Sequence, residues 1–153
     1  MNKNALIRTL GVIMLISVVI ATGIIVLTSW NPSILRGLVN DFKKEIESAD
    51  GIELIETQSA YGNLNGNGNN MNYFGAALVR TDDPSALDEL VKKLSSSFDV
   101  AGYSEQIGTK IENKYLERPK LYYSTEPNGE GYYTVYFFNG SHPHSNPFDV
   151  KGH

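Results

Sequence analysis

The run LGVIMLISVVIATGIIVL, residues 10 to 27, decides how the rest of this chain is read. Its 18 residues carry no charge, and only Ser17 and Thr22 place hydroxyls in it. The uncharged stretch continues from Thr9 to Leu35, with Lys3 and Arg8 just before it. Carried on to Trp30, the apolar segment makes about 31 Å of helix, close to the ~30 Å hydrocarbon core of a bilayer. The buried core helix of a soluble protein is the competing explanation. It is disfavoured, because about 120 further residues could hardly enclose a rod that is apolar all round.

A cleaved secretory signal would share the basic start. Its apolar run would be shorter, roughly 7–15 residues, and would end in a small-x-small site. Here the nearest such triplet, Ala21-Thr22-Gly23, lies inside the run, and the far end reads Ile24-Ile25-Val26-Leu27-Thr28-Ser29-Trp30. Trp30 suits a membrane–water boundary, where its ring and its N–H meet different solvents. The sequence therefore predicts a retained signal-anchor helix over residues 9–30, behind a short cytoplasmic start at residues 1–8. Lys3, Arg8 and the initial amine precede the span, and the first later charge is Arg36. Positive charge stays inside, which puts residues 31–153 outside the cell membrane. Release of a soluble domain by cleavage near Ser29 is the alternative.

All 17 acidic residues follow the span, against eleven basic ones, so that part carries a formal charge of −6. Such a balance repels phosphate backbones and argues against nucleic acid. By composition it also offers no basic patch for gripping anionic lipid heads. The absence of cysteine excludes disulfides, thiol catalysis and cysteine-ligated metal, and it suits a bacterial envelope without oxidative folding machinery. The remaining length is enough for one domain with its own core.

Asn31-Pro32 reads as an N-cap followed by proline at the first helical position, which predicts a short break after the span. Ile34, Leu35, Leu38, Val39, Phe42 and Ile46 then fall on one helical face, and Asp50-Gly51 ends the helix. Gly51–Ser59 predicts a strand, Gly62–Asn70 a surface loop, and Met71–Thr81 a core strand apolar enough for burial on both faces. Asp83 caps a further helix with Pro84 in its first turn; Leu87, Leu90, Val91 and Leu94 form its stripe and Phe98 closes it. Residues 99–118 stay open. Tyr103, Ile107, Ile111 and Tyr115 recur as on a helix face, but Gly102 and Gly108 oppose a long helix. Asn128-Gly129 predicts a tight hairpin joining Leu121–Thr125 to Tyr132–Phe138. The expected fold class is α+β: a transmembrane helix, then helix–strand–strand–helix–strand–strand. Its antiparallel sheet has four or five strands and carries two helices on one face.

Alternation puts Tyr132, Thr134, Tyr136 and Phe138 on one side of the last strand, with Tyr133, Val135 and Phe137 on the other. If the first side is open, Tyr132 and Tyr136 could hold a glycan ring or a partner protein; otherwise they merely pair across the sheet. Asn65 and Asn67 offer a second binding surface in the Asn/Gly loop. That loop lacks the lysine and following helix of a phosphate loop, and the carboxylates of a calcium loop. His142 and His144, near Asp149 and His153, could ligate a transition metal, although Pro143 holds the chain extended between them and a solvated tail competes.

No catalytic set emerges. Asp82-Asp83 is explained by capping, Glu53 and Glu56 fall on a strand face expected to be exposed, and GxSxG is absent. No cofactor is expected. The pattern favours a membrane-anchored binding module over an enzyme, with lipid around residues 9–30 and another membrane or envelope protein as partner. A metal-dependent enzyme or metal carrier using the histidines is the runner-up.

Overall fold

The computed structural model describes residues 3–66 and 71–142, with side chains described for 11–25, 29–66 and 71–140. An unbroken helix, α1 (Lys3–Glu47), runs through the apolar segment and on into the domain. The break expected at Asn31-Pro32 does not occur. Proline's fixed φ is compatible with a helix and removes one backbone donor, a cost that helix-forming sequence on both sides outweighs here. Nor is the Asn31 side chain spent on an N-cap, for its Oδ1 accepts from the Tyr73 hydroxyl at 2.9 Å. From Gly11 to Ile25 every residue is exposed, the large aliphatic ones between 53% and 71%. This one helix is long and apolar enough to cross a membrane.

Beyond Asn31 the same helix turns amphipathic. Leu35, Phe42 and Ile46 are buried, Leu38 and Val39 half-buried, and Ile34 stays at the surface. Full burial of a side chain such as Phe42 or Ile46 is worth roughly 1.5–3 kcal/mol. Gly51, at φ 76°, reverses the chain into β1 (Glu53–Gly62), which pairs with β2 (Met71–Arg80). α2 (Pro84–Leu94) starts as expected: Asp83 Oδ1 accepts from the Ser85 N–H at 2.9 Å. Then come β3 (Val100–Glu105) and β4 (Tyr132–His142). All pairings are antiparallel, in the order β1-β2-β4-β3. Two helix–strand–strand halves thus lie side by side, each giving one central and one edge strand.

α1 and α2 cover one face, where Phe42, Leu87, Leu94 and Phe98 meet Val79, Val135 and Phe137. Phe98 stacks on Phe137 at 4.4 Å between centroids, and Phe42 meets Phe137 edge-on at 5.0 Å. Gly75 lies opposite Phe137, and a Cβ there would come within 2.2 Å of that ring. The missing side chain is what lets the aromatic trio seat on the sheet.

The expected hairpin from Leu121–Thr125 to Tyr132–Phe138 is not formed. β4 spends its two edges on β2 and β3 instead. Residues 121–123 pair back on 109–111: Ile111 N–H donates to Leu121 O at 3.0 Å and Tyr123 N–H to Thr109 O at 2.8 Å. The physical cause is the second face of the sheet. Phe74, Leu78 and Phe138 there need cover, and Ile111, Leu116 and Tyr123 supply it. Residues 106–131 are therefore a strap across that face, and the aromatic side carrying Tyr132 and Tyr136 is roofed rather than open.

Candidate binding cleft

The strap leaves β3 at Gln106, whose N–H donates to Tyr132 O at 3.0 Å. It runs along the sheet, turns through residues 112–120, and returns. A buried polar chain holds its middle. Thr134 Oγ1 donates to Gln106 Oε1 at 2.7 Å and shares a 3.0 Å hydrogen bond with the Tyr123 hydroxyl. Gln106 Nε2 donates to Gly108 O and Lys110 O at 2.8 and 2.9 Å. Burial pushes the Tyr123 phenol well above its usual range, so it stays a neutral donor and acceptor.

The returning limb is fastened by Glu56 on β1. Its carboxylate accepts from the N–H groups of Ser124 and Thr125, each at 3.0 Å. Partial burial raises the Glu56 pKa, but the bonds from Ser124, the Gln58 amide and Thr125 outweigh it and hold the group at about 2. The face expected to be exposed instead carries this clamp.

At the opposite end of the sheet the strap's turn is held twice. The Tyr115 ring stacks on Phe138 at 4.6 Å, and the N–H groups of Glu117 and Arg118 donate to Leu64 O at 2.8 and 3.2 Å. Between this turn and the end of β1 lies a half-open cleft of about 740 Å³, bordered by Tyr61, Asn63, Leu64, Glu117, Arg118 and Pro119. Gly66, at φ 67°, forms part of its wall, where a Cβ would sit 2.9 Å from Glu117 Oε2. The volume is that of a small-molecule site. Its walls offer a carboxylate and a guanidinium, while the Tyr61 side chain packs toward the core under α1. They suit recognition of a polar or charged group.

The residues singled out by sequence are scattered. Asn65 lies between two cleft residues, half-buried, and its Oδ1 accepts from Asn72 Nδ2 at 3.5 Å. Asn67 lies outside the described residues. Tyr132, half-buried, faces Arg80 at the far end of the sheet, the guanidinium 5.7 Å from its ring centre. Tyr136, half-buried, stacks against Phe74 at 6.3 Å, its hydroxyl lying over Gly102. These tyrosines and Asn65 therefore do not share one site. His142 ends β4 with its side chain outside the described residues, as are His144, Asp149 and His153. Among the described residues no group of three His, Asp or Glu could hold a metal ion.

Glu117 and Arg118 escaped the sequence. Their signal was a charged pair ahead of a proline, just past a segment whose helix-like spacing and glycines pointed in opposite directions. No protein-family model matches the chain, no curated protein matches its sequence, and no solved structure matches its fold.

Proposed function

We propose that this chain is a single-pass membrane protein with a cytoplasmic N-terminus, whose domain outside the membrane is a binding module rather than an enzyme. The observation that carries this is the continuity of α1. Its residues from Gly11 to Ile25 stand exposed, while its later turns bury Leu35, Phe42 and Ile46 in the domain core. Water is a poor solvent for such a rod, and hydrocarbon is a good one. The cleft supports the second half of the proposal. Glu117 and Arg118 give it the means to recognise a charged group, and it lies at the end of the sheet where Tyr61 pairs with Tyr73 and Tyr73 reaches Asn31, next to the apolar rod. A ligand met there would belong to another membrane or envelope protein.

Three measurements on the full chain test this. After an alkaline wash the parent should stay with membranes, whereas Val19→Arg should be released, since a charge at a span's centre costs about 2.5–3.5 kcal/mol. Recovery of the parent in the soluble fraction would end the anchor proposal. The chain has no cysteine, so Glu126→Cys gives a single label site. Labelling by a membrane-impermeant maleimide on intact cells is expected; labelling only after lysis would reverse the orientation. A photo-crosslinker at Asn65 should give one discrete product that is absent with the crosslinker at Asp88. Identical patterns from both positions would remove the cleft as a binding site.

A further inference from the structure

The turn of the strap is basic although the domain is acidic. Lys114, Arg118 and Lys120 stand exposed there, against the carboxylates of Glu117 and of Glu112, the latter paired with Lys110. The salt bridges among the described residues involve Lys44, Lys93 and Lys110, so these three cations are left to other partners. The Lys114 ammonium lies 5.0 Å from the centre of the Tyr115 ring, which is itself stacked on Phe138, so the turn has a fixed place.

That place follows from register. β1 runs back from the far end of α1 toward the span and ends at Gly62. Tyr61 pairs with Tyr73, whose hydroxyl reaches Asn31, the neighbour of Trp30. Leu64 lies three residues beyond Tyr61, and its carbonyl holds the Glu117 and Arg118 N–H groups. The basic turn therefore reaches the level at which the exposed apolar rod begins. It also lies on the sheet face opposite α1, well off the helix axis. Acidic groups crowd the other end, among them Asp50, Glu53, Asp82, Asp83, Glu105 and Glu130. Asp99 shares the span end, and its carboxylate accepts from the Gly140 N–H at 3.0 Å.

We propose that Lys114, Arg118 and Lys120 rest on anionic phospholipid headgroups and set the tilt of the domain on the bilayer, a proposal that depends on α1 being a span. An anionic surface repels a domain of net charge −6 and attracts this basic corner, so the separation of the corner from the acidic end favours the pose. Ammonium and guanidinium groups match phosphodiester oxygens, and the attraction acts within a Debye length of about 8–10 Å. Because α1 is continuous through Asn31, the second contact fixes helix and domain together.

Hydrogen exchange of the full chain in lipid nanodiscs tests this. Discs of phosphatidylcholine alone are compared with discs enriched in phosphatidylglycerol. Amides of residues 113–120 should exchange about fivefold more slowly in the anionic discs, the weight of roughly one basic group near such a surface. Amides near Thr125 should not differ. High salt should abolish the effect, as should Lys114→Glu/Arg118→Glu/Lys120→Glu, while the variant still enters discs and keeps the parent's protection in β2 and β4. The neutralising pair Arg118→Gln/Lys120→Gln should weaken the effect by an intermediate amount. Equal exchange in both discs, or protection that survives the charge reversal, overturns the headgroup contact and leaves the span intact. Failure of the parent to enter discs overturns both.

Discussion

The Tyr73 hydroxyl donates to Asn31 Oδ1 across 2.9 Å in a buried site, joining the helix at the end of its long apolar stretch to the second strand. A helix that ran free of the domain here would let the two parts hinge. The bond instead makes α1 part of the sheet's own packing. Removal of the hydroxyl in Tyr73→Phe should cost about 1–2 kcal/mol, the weight of a buried hydrogen bond. Denaturant unfolding in micelles measures it, and Trp30, the sole tryptophan and half exposed beside Asn31, reports on the junction. An unchanged midpoint would mean that the junction is held by apolar contacts alone.

Two strand glycines should differ in what they tolerate. A Cβ at Gly75 would lie 2.2 Å from the Phe137 ring, which is fully buried between Phe42 and Phe98 and has nowhere to go. A Cβ at Gly102 would meet the Tyr136 hydroxyl at 2.6 Å, but that ring is only half-buried and can swing outward. Gly75→Ala should therefore lose roughly 3 kcal/mol, the upper end of overpacking costs, and Gly102→Ala about 1 kcal/mol. Thermal melts of the two variants decide, and equal losses would show that Tyr136 is as confined as Phe137.

Those glycines also explain what the sequence hid. Met71–Arg80 and Pro84–Leu94 were legible because near-continuous apolar character and an Asp-Pro cap are local signals. Leu35, Phe42 and Ile46 were legible by their spacing. β3 was not: Gly102 spoke only against a long helix and left the segment open, whereas its role is to admit the ring of Tyr136 from the neighbouring strand. Asn128-Gly129 does mark a bend, with Gly129 at φ 104°, but the limb entering it belongs to the strap and not to the sheet. The fourfold recurrence of Tyr103, Ile107, Ile111 and Tyr115 came from four unrelated places; Ile107 is 86% exposed while Ile111 is buried. The cleft was invisible for the same reason: Leu64 and Arg118 meet only once a long, aperiodic segment has crossed the sheet.

The chain Tyr123–Thr134–Gln106 makes a prediction about coupling. Thr134→Val keeps the shape of the side chain but deprives the Gln106 carbonyl and the Tyr123 hydroxyl of their shared partner. A loss of about 2–4 kcal/mol is expected, since each buried group left unmatched costs about 1–3. Tyr123→Phe should cost less, because Thr134 still serves Gln106. The double variant should then be more stable than the sum of the two losses implies, by at least about 0.5 kcal/mol. Strict additivity in urea unfolding would show that the three groups do not act as a unit.

Glu56 gives the strap a dependence on pH with a definite sign. Its carboxyl is held at about 2, below the ordinary 4.5: burial works against ionisation, but the N–H groups of Ser124 and Thr125 and the Gln58 amide favour it more strongly. The charged form is therefore favoured by folding. The stability it contributes is fully present above 4.5 and disappears as the pH falls through about 2. The side chain is only partly buried, so solvent screening leaves a contribution of about 1 kcal/mol rather than the full shift. Glu56→Gln should match that loss at neutral pH, exposing the Ser124 and Thr125 amides to faster exchange and the strap to proteolysis. On acidification the gap between parent and variant should close between pH 4.5 and about 2, the other carboxylates with lowered pKa, Asp83 among them, acting on both proteins alike. A gap that stays constant with pH would show that the clamp holds through geometry, with the charge contributing nothing.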